Sequence, residues 1–566
     1  MRVHTPAPCG SKEAVPSLRI DLTHYADKHA DVAKKKVLIL GGGLSALSAG
    51  IHLLQEGGDQ KFEVKILCME HRLGGKAASW RLPDGRFMEV GFHAVFGYYR
   101  AIQQLLARAG RPVDNPQYFT PNDGVHLMYE GGARAVNRLD IPSGPLDVPA
   151  LFDSGFVGYQ GMSFTEKLAA AKWMATIGAR LLLTQVDPKV DEHSFTAYCV
   201  DSGLDIELTK KSWFRYVLDL AFNYPAPGSA YVGMYGFQRL MGPDNSTVHY
   251  LNGGLSDIII RPITQLYTQL GGSIEFCTKV TRIRLDPTNK QVTELGTRAM
   301  ATVTPIPGEP DHVSPTPIGG SYALTEYPVG DPAPGAGAAE QLRSLGPDFD
   351  HVLSTLPLDS LWTLLRTTPD FEKAVLDVPN LRRISKLRSV ASLSLRVWFP
   401  QPVMPSDYTT VVMGAPQPAA TLIDYKNRVS EITQSAWGSV VEFEGQEGLH
   451  GRLSDLEIVS ELLTKFEDLP FVDSTKVNVS HVLNQTNGHK WEFRRNTAQH
   501  MRYLLMEPGH FKYRPVQTDR FYANLTLAGD WMNGSQPTAS MEAATRTGRV
   551  AANLLRDTEG LPDAIA

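Results

Sequence analysis

The sequence predicts an α/β fold in which buried parallel strands alternate with helices. Three stretches support this prediction, namely residues 36–50, residues 62–69 and residues 524–555. The first joins a continuous apolar run to glycines and then to a small-residue helical pattern, which is typical of a buried strand that turns directly into a helix. The second alternates and then becomes apolar, as expected of the next strand in the same βαβ unit. The third repeats the order of strand, glycine and helix near the end of the chain.

The first glycine-rich turn has the pattern of a phosphate-binding loop. Gly41 allows a tight turn, Gly43 lets the backbone approach a pyrophosphate, and Ala46 lets the helix pack closely on the sheet. The N–H groups and the positive dipole end of the helix then face the phosphates. The residues expected at the nucleotide are Gly41, Gly42, Gly43, Leu44, Ser45 and Ala46. A glycine-rich β-to-α turn without a ligand has the same pattern, so the rest of the chain must decide between the two interpretations.

The end of the second strand normally supplies an acidic residue that holds the ribose of the nucleotide. Glu70 is the only carboxylate near this position. Counting back from Gly74 and Gly75, however, places Cys68 where the acid usually stands. Both Cys68 and Glu70 are therefore candidates for the ribose contact.

A second pair of glycines follows the second strand. Residues 73–80 read LGGKAASW, and residues 84–99 read DGRFMEVGFHAVFGYY. Gly74 and Gly75 predict another loop in close approach to a phosphate or a ring, and Lys76 is a candidate phosphate contact. A plain hairpin turn would explain the glycines alone but not the segments around them.

The closing motif, residues 524–555, reads NLTLAGDWMNGSQPTASMEAATRTGRVAANLL. It predicts a strand that ends at Gly529 and Asp530, and a helix that begins near Ser540 and Met541. The chain thus carries, in order, a βαβ unit, the GGK loop, a Gly-Phe-His-aromatic segment and this closing motif. In that order of motifs it resembles the FAD-dependent carotenoid desaturase branch of the flavin-containing amine oxidase superfamily, phytoene-type desaturases in particular. The resemblance covers both ends of the chain well and the middle thinly, so it supports the fold more firmly than the substrate.

The resemblance implies a Rossmann-like FAD-binding domain intertwined with a mixed-sheet and helical substrate domain. It implies that Asp530 meets the ribityl or pyrophosphate region, that Ser540 and Met541 lie at the pyrimidine end of the flavin, and that the backbone at Val280 lies near the adenine. The boundaries we expect are a polar, poorly ordered leader at 1–35, FAD-binding segments at 36–100, 245–290, 346–360 and 520–558, substrate-domain segments at 101–244 and 361–519, and an irregular Pro/Gly-rich insertion at 291–345.

The activity implied is dehydrogenation of a long isoprenoid or carotenoid-like hydrocarbon, with hydride transfer to flavin N5. A hydrocarbon offers no charge to bind, so an aromatic-lined tunnel is expected to recognise it. The candidate lining residues, for which core packing is an equal alternative, are Phe92, Phe96, Tyr98, Tyr99 and Trp531. His93, inside GFHAVFG, is a candidate for a base or a flavin contact. The alternative is a structural histidine whose hydrogen bonds are made within the protein.

Two other classes of flavoenzyme stay open. An amine oxidase usually places aromatic residues at the C-terminal fingerprint to cage the amine, whereas residues 536–539 here read QPTA, which favours the desaturase branch. A terpenoid-modifying or isomerase-type flavoenzyme has the same motifs as a desaturase. The intact glycine loops and Asp530 argue against a scaffold without catalysis, because a scaffold has no need of a phosphate cradle.

Composition limits the partners. The balance of 55 basic against 60 acidic residues, without a dense basic stripe, argues against nucleic acid. Four cysteines lie far apart, which argues against a disulfide framework or a metal site and suits a reducing, cytoplasmic compartment. The electron acceptor, oxygen or a quinone, is left open.

Residues 161–183 predict a helix with a capping box at Ser163 and Glu166. No run of about 18 apolar residues occurs in the chain, so no spanning helix is expected. The helix is expected to cover the substrate cavity. Peripheral membrane association is the alternative, because Lys167, Lys172 and Arg180 flank Trp173 and Met174.

Overall fold

The fold is taken from a computed structural model of the chain. It describes residues 33–81, 86–89, 91, 93–122, 124–129, 135–140, 161–183, 186–209, 228–241, 248–300, 305–306, 309–313, 339–405, 410–413, 420–425, 437–446, 453–496, 498–518, 522–534 and 536–564. The predicted leader up to residue 32 and Phe92 lie outside the described residues. From Lys35 onward the chain forms one compact unit.

The strands fall where apolar or alternating runs occur. They are β1 (Lys35–Leu40), β2 (Phe62–Leu67), β3 (Ser79–Arg81), β4 (Phe87–Glu89), β5 (Ala94–Phe96), β6 (Phe119–Asn122), β7 (Gly124–Tyr129), β8 (Ala135–Asp140), β9 (Val248–Leu251), β10 (Ser273–Glu275), β11 (Thr278–Asp286), β12 (Gln291–Ala299), β13 (Pro305–Ile306), β14 (Glu309–Val313), β15 (Gln341–Ser344), β16 (His351–Ser354), β17 (Ser389–Val390), β18 (Ser392–Phe399), β19 (Thr410–Met413), β20 (Ala420–Asp424), β21 (Ser439–Gln446), β22 (Lys490–Arg495), β23 (Tyr503–Leu504) and β24 (Leu525–Leu527).

The helices lie between these strands. They are α1 (Leu44–Leu54), α2 (Gly58–Lys61), α3 (Arg100–Arg108), α4 (Phe164–Leu183), α5 (Phe195–Asp201), α6 (Ile206–Thr209), α7 (Ala230–Met241), α8 (Arg261–Gln269), α9 (Leu358–Leu365), α10 (Pro379–Ile384), α11 (Asp455–Glu467), α12 (Ser474–Val477), α13 (Val479–Leu483) and α14 (Met541–Thr558). Short 3₁₀ turns occupy Gly75–Ala77, Pro188–Glu192 and Phe511–Tyr513, and π turns occupy Ser256–Ile260 and Glu372–Leu376.

A five-stranded parallel sheet carries the site. Its strand order is β10-β2-β1-β16-β24, and each neighbouring pair is parallel. Val37 and Ile39 of the central strand β1 are fully buried, as the continuous apolar run predicts. Since the carboxyl ends of parallel strands share one edge, the loops after β1, β16 and β24 meet there. The predicted α/β fold is confirmed.

A seven-stranded mixed sheet forms a second layer, in the order β22-β18-β21-β20-β19-β7-β8. In β18, Leu393, Leu395 and Val397 point into an apolar cluster that includes residues of α11. The alternate residues, among them Ser394 and Arg396, are also buried. The polar face of β18 is therefore covered by protein rather than by solvent.

The first and last helices hold the two ends of the chain together. Ser48 Oγ donates to the carbonyl oxygen of Thr545 at 2.7 Å. A Cβ built at Gly548 would lie 2.3 Å from the carbonyl oxygen of Ser45, so only glycine allows α14 to approach α1 this closely. This contact joins the two segments that carry the predicted nucleotide motifs.

The predicted irregular insertion at 291–345 differs from the structure at both of its ends. β12 occupies its first nine residues and pairs antiparallel with β11 and with β15. Val292 and Leu295 of β12 are fully buried in a core cluster. Burial of these side chains stabilises a strand here, which the Pro- and Gly-rich composition of the surrounding residues did not indicate.

The helix predicted in residues 161–183 is α4, and its capping box is present. Ser163 Oγ accepts from the Glu166 N–H at 3.3 Å, and a carboxylate oxygen of Glu166 accepts from the Ser163 N–H at 2.7 Å. In the part of the chain that the structure describes, none of the helices combines the length and the apolar character that crossing a bilayer requires.

The membrane-surface alternative for α4 depended on two apolar residues, Trp173 and Met174, that point inward. Trp173 and Met174 are 4% and 6% exposed, so they belong to the core. Among the side chains of α4 that the structure describes, up to Ile177, the large apolar ones that are exposed are Phe164, at 82%, and Leu168, at 63%, in its first turns.

Candidate functional site: a dinucleotide cradle between two fingerprints

The two glycine-rich loops lie side by side. The Gly74 N–H donates to the Gly42 carbonyl oxygen at 2.7 Å, and Gly43 and Gly74 form an isolated parallel bridge. Gly41 has φ +105° and Gly74 has φ +114°, a region of backbone conformation that glycine adopts without strain. The structure thus brings the two predicted phosphate-facing loops together at the carboxyl edge of the parallel sheet.

The start of α1 leaves room and polar groups for a phosphate. Gly43 is its N-cap residue, in extended backbone (φ −81°, ψ −178°), and makes no side-chain cap. A Cβ built there would meet only the Gly74 carbonyl oxygen, 3.9 Å away. Ser45 Oγ is buried and has no hydrogen-bond partner among the described residues. An open approach and an unpaired buried hydroxyl at a helix N-terminus fit a bound pyrophosphate.

The closing motif places its acidic residue beside these loops. Asp530 follows β24, and its Oδ2 lies 2.5 Å from Lys76 Nζ. The guanidinium of Arg514 donates to the carbonyl oxygens of Asp530, at 3.3 Å, and Gln536, at 3.2 Å. Gly529, at φ +145°, allows the turn. The structure therefore joins Lys76 of the second loop to Asp530 of the last motif.

The last helix begins where the motif predicts. Ser540 is the N-cap of α14, and its Oγ accepts from the Ala543 N–H at 3.1 Å, so that α14 starts at Met541. The carboxylate of Glu542 accepts from the N–H groups of Ala101 at 3.0 Å and Ile102 at 2.9 Å, at the start of α3. This helix start is fixed against α3 as well as against α1.

The two candidates for the ribose contact have different surroundings. Cys68 Sγ would lie 2.6 Å from a Cβ at Gly42, so the thiol packs under the first glycine loop. Glu70 lies 3.4 Å from Arg72 Nε and 3.5 Å from His500 Nε2. Burial raises the pKa of Glu70, but Arg72 and His500 outweigh burial and lower it to about 2. Glu70 is thus an ionised carboxylate, whereas Cys68 is the residue in contact with the loop.

Val280 lies in β11, two residues after the Thr278 N–H that donates to the Cys68 carbonyl oxygen at 2.8 Å. Its side chain packs, partly buried, against a core cluster. The contacts of Cys68, Glu70 and Val280 with a nucleotide stay predictions.

Three of the predicted substrate-lining residues form an aromatic group. Ring centroids are 5.4 Å apart for Phe96 and Tyr98, 5.2 Å for Phe96 and Tyr99, and 5.0 Å for Tyr98 and Tyr99. Trp531 is 1% exposed in a core cluster, and its indole N–H donates to the Leu356 carbonyl oxygen at 3.0 Å. The position of Trp531 favours core packing. Tyr99 is also buried in a core cluster, against which Phe96 and Tyr98 pack, so core packing stays the alternative for these three residues.

His93 is turned toward its own backbone. Its Nδ1 lies 2.6 Å from the Gly91 carbonyl oxygen, which can only accept, so this nitrogen carries the proton. Burial lowers the pKa of His93 to about 4, with Lys76 and Arg396 acting in the same direction and the Gly91 hydrogen bond and the Glu442 carboxylate opposing them. The imidazole is therefore neutral at pH 7.

A buried ionic cluster on the polar face of the mixed sheet is a feature that motif reasoning missed. Arg396 pairs with Glu442 and lies 3.7 Å from Glu89, and Tyr425 donates to Glu442 at 2.7 Å. Burial and Glu442 raise the pKa of Glu89 to about 8, although Arg396 opposes them. The signal in the sequence was the charge of Arg396 in a strand, SLSLRVWF, whose other residues are apolar or serine. The cluster lies close enough to His93 to influence its pKa.

Fold and site together define a class of protein, the α/β flavoenzymes with two dinucleotide fingerprints at opposite ends of the chain. The model of the flavin containing amine oxidoreductase family matches residues 44–302 and 337–556. The chain therefore belongs to this family, and FAD is its cofactor. When bound, FAD supplies a two-electron acceptor, and the glycine loops and the starts of α1 and α14 are the described segments that could hold it.

Named relatives agree with the resemblance seen in the motifs. The chain is 24% identical to a 15-cis-phytoene desaturase of an Oncidium hybrid cultivar over 44% of its own length and 42% of that protein. It is 24% identical to a zeta-carotene desaturase of Synechocystis, over 46% of its length and 53% of that protein. A 15-cis-phytoene desaturase of Synechococcus elongatus is 22% identical over 92% of this chain and 95% of the relative. The chain thus spans about half the length of the first two relatives and nearly all of the third.

Solved structures show the same fold. A putrescine oxidase structure has a TM-score of 0.59 and 13% sequence identity, covering 92% of this chain and 99% of that one. An oxidoreductase from Methanosarcina mazei has a TM-score of 0.56 and 12% identity, covering 91% and 98%. At these identities the likeness concerns the fold alone.

Proposed function

We propose that this chain desaturates a long isoprenoid or carotenoid-like hydrocarbon by hydride transfer to flavin N5. The observation that carries the proposal is the sequence similarity to phytoene and zeta-carotene desaturases, one of which aligns over 92% of this chain. The aromatic group of Phe96, Tyr98 and Tyr99 supports it, because aromatic side chains bind an uncharged chain through apolar contact.

In this proposal the residues of the cradle bind and orient the cofactor. Gly41, Gly43 and Gly74 admit the pyrophosphate, and Ser45 Oγ donates to it at the start of α1. Lys76 and Asp530 hold the ribityl and phosphate region between the two fingerprints. The start of α14, at Ser540 and Met541, lies toward the pyrimidine end of the flavin, where negative charge gathers on reduction. These assignments follow the family resemblance together with the contacts described above.

Anaerobic mixing tests the proposal. The purified protein, reconstituted with FAD, is mixed without oxygen with phytoene or zeta-carotene in liposomes while the flavin absorbance is recorded. We expect bleaching of the flavin band by at least one of these isoprenoids. Bleaching by amines alone, or by none of the compounds, would contradict desaturation. Subsequent addition of oxygen or a quinone identifies the electron acceptor by the return of the band.

Amine oxidation is a second candidate, favoured by one observation. Two buried carboxyl groups, Glu89 and Glu442, lie beside Arg396. Burial raises the pKa of Glu89 to about 8, so Glu89 can give up its proton and face an ammonium group as a carboxylate, which suits an amine better than a hydrocarbon. Putrescine in the same anaerobic experiment separates the two candidates.

We propose that His93 contacts the flavin rather than acting as a base, because its pKa of about 4 makes the imidazole a weak proton acceptor. His93→Gln is expected to change turnover by less than about tenfold and to shift the absorbance maxima or the affinity of bound FAD. Turnover and FAD spectra of the variant check this. A loss of about 100-fold or more with FAD retained would assign the base role to His93.

We propose that the first turns of α4 bind a bilayer surface when substrate is taken up. Phe164 and Leu168 are exposed, and Lys167 and Lys172 lie on the same helix to meet anionic headgroups. Phe164→Ser with Leu168→Ser is expected to weaken binding to anionic vesicles by about tenfold or more, as each buried CH₂ contributes ~0.8 kcal/mol. Cosedimentation with vesicles measures this.

The matched control is Leu342→Ser, since Leu342 is 52% exposed in β15. It removes a comparable apolar side chain from another element and is expected to leave vesicle binding unchanged. Equal binding by the α4 double variant and the unaltered chain would contradict a membrane role for α4.

A further inference from the structure

A buried carboxylate–imidazole pair lies outside the cradle described above. Asp191 and His510 are 4% and 5% exposed, and His510 Nδ1 lies 3.3 Å from Asp191 Oδ1. Asp191 also accepts hydrogen bonds from Ser229 Oγ and from the Phe511 N–H, the latter at 2.7 Å. Burial raises the pKa of Asp191, but the His510, Ser229 and Phe511 hydrogen bonds outweigh burial and lower it. The carboxylate is therefore ionised and held in one orientation.

The contacts of His510 define its tautomer. Nδ1 lies 2.5 Å from the Glu507 carbonyl oxygen in addition to the Asp191 carboxylate. Both partners are acceptors, so Nδ1 carries the proton and Nε2 presents a lone pair. Nε2 is buried and has no hydrogen-bond partner among the described residues. Because an unpaired buried acceptor opposes folding, its presence calls for a functional explanation.

The pair lies next to the second fingerprint. Arg514, four residues beyond His510, donates to the backbone of Asp530 and Gln536. The ring of Phe511, which follows His510, packs on Tyr231 of α7 with centroids 4.8 Å apart. The charged groups that act on His510 are thus Asp191 and Arg514.

The electrostatics suit a proton acceptor. Burial and the Arg514 guanidinium lower the pKa of His510, and the Asp191 carboxylate opposes them. The imidazole is neutral at pH 7, and once protonated at Nε2 it would be stabilised by a carboxylate on its other nitrogen. At His93, Nδ1 faces the neutral carbonyl oxygen of Gly91 rather than a carboxylate, and Lys76 and Arg396 oppose the effect of the Glu442 carboxylate on its pKa. Of these two histidines, His510 is therefore the better placed to hold a proton during turnover.

We propose that His510 Nε2 accepts the proton released by the substrate, with Asp191 as the positioning residue that holds the imidazole. The inference rests on the proposed desaturation. In that reaction one C–H bond breaks with its electron pair as hydride, which the flavin accepts. The neighbouring C–H bond leaves its electron pair in the new C=C bond, while its proton forms a bond to Nε2. The imidazolium then releases the proton to solvent or to the reduced flavin.

Four variants in the FAD-loaded, full-length chain test this assignment: His510→Gln, Asp191→Asn, Asp191→Glu and, as a control, His489→Gln. His489 is buried too, but both of its nitrogens face carbonyl oxygens, of Thr486 and Lys476. The rate of anaerobic flavin bleaching by phytoene or zeta-carotene in liposomes is measured against pH. Histidine ¹⁵N NMR of the unaltered chain reports the tautomer of His510 independently of activity.

We expect His510→Gln to slow bleaching by about 100-fold or more with FAD bound. Asp191→Asn is expected to slow it by about tenfold or more and to move the acid limb of the pH profile, and Asp191→Glu is expected to recover part of the rate. His489→Gln should bleach at the unaltered rate. NMR should show a neutral ring protonated at Nδ1.

Bleaching by His510→Gln at nearly the unaltered rate would overturn the inference while leaving the proposed function intact. If His510→Gln does not fold, two other results decide. An Nε2-protonated tautomer in the unaltered chain, or an unchanged pH profile in Asp191→Asn, would overturn the inference. An Nδ1-protonated tautomer together with a shifted pH profile would support it. Absence of bleaching in the unaltered chain would reject the proposed function, and the inference with it.

Discussion

Gly43→Asp is expected to weaken FAD binding by roughly three orders of magnitude while leaving the stability of the fold almost unchanged. Asp is a favoured N-cap residue, and the extended backbone at Gly43 suits it, so the substitution costs no more than a few tenths of a kcal/mol. A carboxylate there would lie where the pyrophosphate is proposed to approach α1. Two unit charges 4 Å apart repel by about 4 kcal/mol at an effective dielectric of 20, which corresponds to roughly three orders of magnitude in affinity.

The measurement is FAD affinity by fluorescence quenching, together with the unfolding midpoint of the FAD-free protein. Gly43→Asn is the matched control, because it caps a helix about as well as Asp without the charge. We expect Gly43→Asn to weaken FAD binding much less than Gly43→Asp does. Gly548→Ala should show the opposite pattern, with lower stability of the FAD-free protein, since a methyl group there meets the Ser45 carbonyl oxygen at 2.3 Å. Full FAD affinity in Gly43→Asp would place the pyrophosphate elsewhere.

Arg396→Met is expected to destabilise the chain by about 3–5 kcal/mol, because it leaves a buried carboxylate without its cation. Arg396 and Glu442 are each 1% exposed and paired, and Tyr425 and Ser394 donate to the same carboxylate. Chemical denaturation of the FAD-free protein measures the loss. The double variant with Glu442→Met should recover much of the stability, since removal of both charges avoids the unpaired group.

The control for this prediction is an exposed ion pair. Arg388, whose side chain is 67% exposed, pairs with Glu507. Arg388→Met is expected to change stability by less than about 1 kcal/mol, as is usual for surface pairs. If Arg396→Met were as stable as this control, the buried cluster would not hold the polar face of the sheet in place.

The elements that carry the cofactor could be predicted from the sequence because their signals are local. The apolar run of β1, the glycines that follow it and the small residues of α1 are contiguous, and each reflects a packing or backbone requirement at its own position. The start of α14 at Ser540 and Met541 was predicted for the same reason. A capping hydroxyl before a helical pattern is a local signal too.

The polar groups of the middle of the chain could not be predicted, because they depend on contacts between distant segments. The Asp191 carboxylate accepts a hydrogen bond from the Phe511 N–H, which lies 320 positions away in the sequence. The sequence pattern near either residue does not indicate the other. The pairing of Arg396 with Glu442 depends on the register between β18 and β21. The inward orientation of Trp173 depends likewise on what α4 packs against.

Product analysis after a single anaerobic turnover tests the central claim most directly. FAD-loaded protein is mixed with phytoene or zeta-carotene in liposomes, the reduced flavin is quantified, and the extracted lipid is analysed by mass spectrometry. A desaturase yields one product molecule, lighter by two hydrogen atoms, for each flavin reduced. An isoprenoid of unchanged mass with the flavin still oxidised, or flavin reduction by putrescine alone, would contradict the assignment.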